Sequence, residues 1–219
     1  MPIKVKNLKF IDAWGESLEN QVIAYEQEPI RKGEIVFYGS SKFTRWKSTK
    51  YGNPVLREEI VGASGAPCCT NRGFGSSSAE HQLYYYHRMV KPLEPKVLVY
   101  CCHGNHATYG YSIDEAVELG LRVIAYALND FPDLRVYLQS ANPGVNISEE
   151  EIAERRKFNS IMRDFAESTP NCFYVDVFER EELWDPKLFV ADNVHFNYDG
   201  YKLYGDIWRE ALKEELKNY

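Results

Sequence analysis

The chain has 219 residues, with 26 Lys and Arg against 32 Asp and Glu, so its formal net charge is −6. This balance argues against nucleic acid as a partner, because a phosphate backbone selects clusters of Lys and Arg. Hydrophobic residues make up 44% of the chain, which at this length provides a sizeable core and excludes intrinsic disorder. We expect one domain over residues 1–219.

The first twenty residues show neither the apolar stretch nor the cleavage site of a secretory signal, and no apolar run is long enough to predict a membrane span. The five cysteines are odd in number and include two adjacent pairs, unlike a disulfide framework. We therefore expect a cytoplasmic protein with reduced cysteines. A homo-oligomer is compatible with the sequence.

Five short β-rich runs alternate with stretches of helical periodicity, which is the pattern of βαβ units. Several of these runs are too apolar for a half-exposed sheet and are typical of buried parallel strands. The sequence predicts an α/β fold, a flavodoxin-like, doubly wound α/β/α domain in three layers around a mostly parallel sheet of five strands. The predicted strands are Glu34–Tyr38, Cys68–Asn71, Lys96–Cys101, Leu134–Gln139 and Cys172–Val177.

Signals for helix starts lie between the strands. A Ser-x-x-Glu pattern, which is the sequence form of a capping box, predicts helices that begin at Ser77, Ser112 and Ser148. Gly200 precedes a further amphipathic helix. The segment between 46 and 71 is rich in Gly and Pro and has no assignment. An N-terminal helix is predicted from three apolar residues at helical spacing, Leu18, Val22 and Tyr25.

Polar residues follow the predicted strands at the edge where open doubly wound sheets bind ligands. Ser41 follows the first strand, the turn at Ser76 the second, Asn105 the third, and Asp192 with His195 the fifth. A serine hydroxyl, an imidazole and a carboxylate are the groups that acyl transfer by a serine nucleophile requires. The Asn105 amide and the backbone N–H groups of Ser41 and Ser76 are candidate donors to an oxyanion.

These four loops, in this order, resemble the four sequence blocks of the SGNH hydrolases, also called the GDSL esterase/lipase superfamily. The resemblance runs from IVFYGSSKFTRW to FVADNVHFNYDGYKLYGDIW and covers nearly the whole chain. It implies a carboxylic ester hydrolase without a cofactor, with a catalytic triad and an oxyanion hole. The implied triad is Ser41, Asp192 and His195, and the implied oxyanion donors are Ser41, Ser76 and Asn105.

The chain departs from the family pattern in three blocks. Ser40 replaces the aspartate of Gly-Asp-Ser, which leaves open whether Ser40 or Ser41 attacks, although the position favours Ser41. Ser76 stands where the family has glycine. The third block reads His103-Gly104-Asn105-His106, without the family's glycine two positions before the asparagine and without the aspartate after it. An inactive binding module with the same fold is therefore an alternative.

Two further questions concern metal and substrate. Cys101, Cys102, His103 and His106 stand within six residues, but adjacent residues of a strand point to opposite faces, so we predict no metal site. The two cysteines are expected in the core and the two histidines at the rim, where one could contact the substrate; neither histidine is assigned a role. The expected substrate is a small ester such as an acetylated sugar, and a lysophospholipid or an acyl thioester is the alternative. Aromatic residues of the rim loops are expected to line the substrate pocket, namely Trp46, Tyr109 and Tyr111.

Overall fold

The computed structural model describes residues 15–219, so much of the segment expected to lack a secretory signal lies outside the described residues. The first element is helix α1, Gly15–Glu26. Its buried residues are the three that predicted it, Leu18, Val22 and Tyr25. No helix in the described part of the chain is both long enough and apolar enough to cross a membrane.

The five predicted strands form one sheet in the order β2-β1-β3-β4-β5. All four pairings are parallel, so the prediction of a three-layer α/β fold with a mostly parallel sheet is confirmed. The strand order is that of the flavodoxin-like doubly wound fold. The strands are β1, Ile35–Gly39; β2, Cys69–Gly73; β3, Val97–Tyr100; β4, Arg135–Gln139; and β5, Cys172–Val175.

Helices lie on both faces of the sheet and connect its strands. After α1 they are α2, Ser41–Thr44; α3, Leu56–Glu59; α4, Ala79–Met89; α5, Ile113–Asp130; α6, Glu149–Ser168; and α7, Tyr198–Ala211. Single 3-10 turns occupy Thr49–Tyr51, Lys91–Leu93, Ala107–Tyr109, Glu181–Trp184, Pro186–Leu188 and Glu215–Asn218.

The capping boxes at two of the predicted helix starts are confirmed. The hydroxyl of Ser112 accepts a hydrogen bond from the Glu115 N–H at 3.3 Å, and that of Ser148 accepts one from the Glu151 N–H at 3.2 Å. These bonds satisfy N–H groups that the first turn of a helix leaves without a backbone partner.

Two predicted helix starts are wrong by a few residues. Helix α4 begins after Ser78 rather than at Ser77, because the Ser77 N–H closes a turn onto the Phe74 carbonyl at 3.3 Å. Helix α7 begins before Gly200, because the Asn197 side chain caps it by accepting the Gly200 N–H at 3.1 Å. Gly200 thus lies in the first turn.

The two faces of the sheet have separate cores because successive strand residues point to opposite sides. Val36 and Tyr38 of β1 join the core under α1, α4, α5 and α6. Ile35 and Phe37 join the core under α7. The five cysteines are free thiols and all are buried.

Two glycines allow the short helix α2 to lie directly on the ends of β1 and β2. A Cβ atom at Gly39 would lie 2.8 Å from the Phe43 ring, and one at Gly73 would lie 2.4 Å from the Phe43 Cβ. Any larger residue at either position would displace α2. The close approach places Ser41, the first residue of α2, at the carboxyl edge of the sheet.

Candidate active site

A chain of hydrogen bonds links three side chains at this edge. The Ser41 Oγ lies 2.8 Å from Nε2 of His195, which belongs to the loop that precedes α7. The other ring nitrogen of His195, Nδ1, lies 2.8 Å from Oδ2 of Asp192. The structure therefore brings together the serine, histidine and aspartate that the sequence singled out, although 154 positions separate Ser41 from His195.

Asp192 is held by backbone and side-chain donors. Its Oδ1 accepts the N–H groups of Val194 and His195, each at 2.9 Å, and its Oδ2 lies 3.0 Å from Nη2 of Arg45. Partial burial raises the pKa of Asp192, but the N–H groups of His195 and Val194 and the imidazole outweigh it and hold this pKa well below its usual range. The carboxylate is thus ionised at neutral pH.

The imidazole of His195 is poised to act as a base. Burial lowers the pKa of His195; the hydrogen bond to Asp192 raises it, and the nearby charges of Arg45 and Lys42 lower it again, so that it lies below its ordinary value. The ring is therefore neutral at pH 7. With the Nδ1 proton directed at Asp192, Nε2 is free to accept the proton of Ser41.

The backbone N–H groups of Ser41 and Ser76 have no hydrogen-bond partner among residues 15–219. A Cβ at Gly75, the residue before Ser76, would lie 4.0 Å from the Ser41 Cβ. The neighbouring N–H of Gly75 is already bound to Oε1 of Gln21 at 2.8 Å. The Tyr109 hydroxyl donates to the Ser76 carbonyl at 2.7 Å. The turn at Ser76 is thus held by Gln21 and Tyr109, while the Ser76 N–H has no acceptor among the described residues.

Ser76 has a φ of +68°, in the left-handed region that glycine adopts at low cost. This explains in physical terms why the family pattern has glycine here. A backbone donor does not need a particular side chain, so serine keeps the N–H while the backbone carries the strain.

Asn105 lies on the third loop with a φ of +58°, which asparagine tolerates better than most residues. Its Nδ2 donates to the Ser40 hydroxyl and to the Ser77 carbonyl, both at 2.9 Å. The two adjacent serines are therefore distinguished by their partners. The hydroxyl of Ser41 contacts the imidazole, whereas that of Ser40 contacts the Asn105 amide.

A cavity of about 410 Å³ opens beside Ser41 and the loop of Asn105. Val145, Ile147 and Val194 give it an apolar wall, and it also exposes charged and amide side chains. A cavity of this size with a few polar groups is typical of a small-molecule site. The polar groups of its wall include Lys42, Asn142, Glu151, Glu154, Arg155 and Asp192.

The three aromatic residues expected in the pocket wall are not among the residues that line this cavity, and that prediction is wrong. Trp46 is 0% exposed and packs against Tyr204 in the core beneath α7. Tyr109 supports the Ser76 turn, and the Tyr111 hydroxyl donates to Glu80. Their large apolar surfaces turn inward because burial is favourable, even though they belong to loops of the rim.

His103 and His106, which the sequence places at the rim without a role, both line the cavity. Their rings lie 5.2 Å apart, and the His103 ring lies 5.1 Å from that of Phe158. Burial lowers the pKa of both imidazoles, so they are neutral at pH 7. Within residues 15–219, no cluster of three or more His, Cys, Asp or Glu side chains is arranged to hold a metal ion.

Lys42 is a feature of the site that sequence reasoning missed. Its side chain is 8% exposed, its Nζ has no hydrogen-bond partner among the described residues, and this nitrogen lies 3.5 Å from the centre of the Phe196 ring. Burial lowers the pKa of Lys42 to about 7. Its position next to Ser41 is the signal that could have drawn attention to it.

The comparison with protein families agrees with the site. The model of the GDSL-like Lipase/Acylhydrolase family matches residues 38–203, and the chain belongs to this family. It is accordingly a carboxylic ester hydrolase, as the sequence predicted. A search of curated proteins finds no match.

Solved structures show the same fold at low sequence identity. A GDSL-like lipase from Bacteroides thetaiotaomicron is similar with 17% identity and a TM-score of 0.67, over 91% of this chain and 97% of that one. A lipase/acylhydrolase from Enterococcus faecalis has 18% identity and a TM-score of 0.67, over 84% and 96%. The acetyl xylan esterase AlAXEase has 18% identity and a TM-score of 0.66, over 81% and 98%.

Proposed function

We propose that the protein is a serine esterase that hydrolyses a short-chain ester of a small, soluble alcohol, such as an acetylated carbohydrate, through an acyl-enzyme. The observation that carries this proposal is the hydrogen-bond chain from Ser41 through His195 to Asp192, with 2.8 Å at each link. A serine hydroxyl alone is a weak nucleophile, and this chain supplies both a base and a group that orients the base.

In the first half of the reaction, Ser41 Oγ attacks the ester carbonyl while its proton passes to Nε2 of His195. Asp192 stays ionised, holds the Nδ1 proton and stabilises the imidazolium that forms. The negative charge on the carbonyl oxygen is stabilised by the N–H groups of Ser41 and Ser76 and by the Asn105 amide. The tetrahedral intermediate collapses when His195 returns the proton to the leaving alcohol.

In the second half, water takes the place of the alcohol. His195 removes a proton from this water as it attacks the acyl-Ser41 carbonyl, and the same donors stabilise the second tetrahedral intermediate. The proton then returns from His195 to Ser41 Oγ, which releases the acid. Side chains and backbone groups of the chain carry every proton and charge of this cycle.

The dimensions of the cavity support a small substrate. A volume of about 410 Å³ lined by amide and charged groups as well as Val145 and Ile147 suits a compact polar ester better than a long acyl chain. The similarity to a protein described as an acetyl xylan esterase agrees with this choice. A lysophospholipase or an acyl thioesterase is the second candidate, and an inactive binding module is the third.

The test compares the two serines. We expect Ser41→Ala to lower hydrolysis of 4-nitrophenyl acetate by on the order of 10⁴-fold, whereas the matched variant Ser40→Ala loses less than about 10-fold, because Ser40 does not contact the imidazole. Undiminished activity of Ser41→Ala would exclude the proposed nucleophile. Labelling of the wild type by a fluorophosphonate, absent in Ser41→Ala, separates an esterase from an inactive binding module.

The acyl group is tested with 4-nitrophenyl esters from acetate to decanoate. We expect kcat/KM to be highest for the short chains, because a cavity of about 410 Å³ with charged and amide groups in its wall suits a compact ester better than a long acyl chain. A maximum at octanoate or decanoate would favour the lipid or thioester alternative instead.

A further inference from the structure

The cavity beside Ser41 contains a cation that the proposed reaction does not use. Arg155 of α6 lines the wall, and its Nη1 donates to the Asn142 carbonyl at 2.6 Å. A Cβ at Gly144 would lie 3.6 Å from the same nitrogen. The guanidinium is thus fixed against the backbone of residues 142–144 and has four further N–H groups with no hydrogen-bond partner among residues 15–219.

No carboxylate in the described part of the chain forms an ion pair with Arg155. Two carboxylates of α6, Glu151 and Glu154, also line the cavity; burial lowers the pKa of Arg155, and the charges of these carboxylates raise it without offsetting the burial. Glu151 accepts the Ser148 N–H at 2.8 Å, and Glu154 lies 3.7 Å from Nε2 of His106. Asp192, the other carboxylate of the wall, is engaged by His195 and Arg45.

Lys42 adds a second positive charge on the same wall. Its pKa is lowered by burial and, next in size, by the charge of Arg155, so the two cations repel each other across the cavity. An anion bound to Arg155 offsets this repulsion. A partly desolvated cation without a bonded anion is unfavourable. An anionic ligand would provide the Arg155 guanidinium with such a partner.

We infer that the ester substrate carries an additional anionic group, a carboxylate, sulfate or phosphate, which Arg155 binds while Ser41 attacks the ester. The inference rests on the proposed function and narrows its substrate class to acidic esters, for which an acylated acidic sugar is the fitting form. The planar fork of a guanidinium matches two oxygens of such a group. Lys42 strengthens the attraction without direct contact, because its Nζ is shielded from the cavity.

Two pairs of esters test this inference and differ in which half carries the charge. In the first pair, 4-acetoxybenzoate carries its carboxylate on the alcohol side, and 4-acetoxybenzamide is its neutral isostere. In the second pair, the 4-nitrophenyl monoester of adipate carries its carboxylate on the acyl side, and 4-nitrophenyl hexanoate is neutral. The measured quantity is the ratio of kcat/KM for the anionic ester to that for the neutral ester.

We expect the ratio to exceed one in at least one pair, and to fall by on the order of 10- to 100-fold in Arg155→Gln, the range of a hydrogen bond to a charged group. Arg155→Lys keeps the charge and retains part of the preference. Arg156→Gln is the matched control, because Arg156 is 63% exposed and pairs with Glu179 outside the cavity; its ratio stays at the wild-type value. Circular dichroism establishes that each variant is folded.

The possible outcomes separate this inference from the proposed function. A wild type that prefers the neutral ester in both pairs overturns the inference, and so does a folded Arg155→Gln protein whose ratio equals that of Arg156→Gln. Either result leaves the esterase proposal intact when Ser41→Ala is inactive on the same neutral esters. Hydrolysis that persists in Ser41→Ala contradicts the proposed function itself.

Discussion

The amide of Asn105 donates a hydrogen bond of 2.9 Å to the hydroxyl of Ser40, and its second N–H is bound to the Ser77 carbonyl. In the proposed reaction the substrate oxyanion takes the place of the Ser40 hydroxyl as acceptor. A charged acceptor forms the stronger bond, so this exchange is favourable only once negative charge develops on the carbonyl oxygen. The interaction therefore stabilises the transition state more than the bound substrate.

We accordingly expect Asn105→Gly to lower kcat by about 10² to 10³-fold with little change in KM. Glycine is the appropriate substitution because it tolerates the φ of +58° at this position, and the loss then reflects the missing donor rather than backbone strain. Steady-state kinetics on 4-nitrophenyl acetate measure the effect. An unchanged kcat would show that the oxyanion binds elsewhere.

The strained turn at Ser76 gives a prediction about stability. We expect Ser76→Gly to raise the free energy of unfolding by roughly 1 kcal/mol, because glycine adopts a φ of +68° without the clash of a Cβ. The corresponding rise in Tm is about 2–4 °C for a chain of this length, measured by thermal denaturation. The comparison variant Ser76→Ala keeps the strained backbone, so we expect its free energy of unfolding and its Tm to stay near those of the wild type.

Both Ser76 variants are expected to retain esterase activity within a few-fold, because the proposed donor is the backbone N–H. A loss of 100-fold in Ser76→Ala would instead assign a role to the hydroxyl.

The pH profile of the enzyme depends on the charges around His195. The imidazole must be neutral to act as a base, so kcat/KM rises with pH through its pKa. Burial and the charge of Arg45 lower this pKa. Removal of that charge in Arg45→Met raises the pKa, and we expect the acidic limb of the profile to move to higher pH by roughly 0.5–1 unit.

The control for this shift is Arg122→Met, since Arg122 lies on the surface of α5 and pairs with Glu118. We expect the acidic limb of the Arg122→Met profile to coincide with that of the wild type. A limb that stays in place or moves to lower pH in Arg45→Met contradicts the electrostatic explanation.

Lys42 lowers the stability of the fold because a buried ammonium loses its hydration. Its pKa is about 7 in the native state against an ordinary value of 10.5, so the unfolded chain binds more protons between these two values. Stability therefore rises with pH over this window, and the penalty is greatest below pH 7. We expect Lys42→Met to raise the free energy of unfolding by on the order of 1–3 kcal/mol at pH 7.

Denaturant unfolding at several pH values tests this expectation. If the buried ammonium is the cause, the difference in the free energy of unfolding between Lys42→Met and the wild type shrinks between pH 7 and pH 10. The exposed Lys50 provides the control variant Lys50→Met, which stays close to the wild type throughout. A gain that is independent of pH would point to packing rather than charge.

The sheet and the helices were predictable because their signals are local. Alternation and apolar runs indicate strands, and Ser148 with Glu151 indicates a helix start from four residues of sequence. The relation of Ser41 to His195 was predicted from the order of the loops, since parallel strands end at one edge. The roles of Ser41, Asp192 and His195 stay predictions that the variants test.

The walls of the cavity were not predictable in the same way. A position on a rim loop does not determine the direction of a side chain, and Trp46 turns into the core. Arg155 lies one turn before the buried Phe158 on the inward side of α6, but an arginine in an amphipathic pattern is ordinarily assigned to solvent, and its bond to the Asn142 carbonyl leaves no local signal. The burial of Trp46 and the place of Arg155 in the cavity wall both depend on contacts between distant segments, which no short window of sequence contains.

The hydroxyl of Tyr201 in α7 donates to the Lys42 carbonyl at 2.7 Å, so the C-terminal helix is fastened to the turn that bears the nucleophile. Asp192 and His195 are close neighbours in the chain, and their contact could form within a detached C-terminal segment. The contact between His195 and Ser41 could not form there, because Ser41 lies outside that segment. Heat inactivation should therefore depend on whether roughly the last thirty residues stay packed on the rest of the chain. Where this contact is the weakest cooperative unit, we expect activity to be lost at a lower temperature than the circular-dichroism signal of the helices.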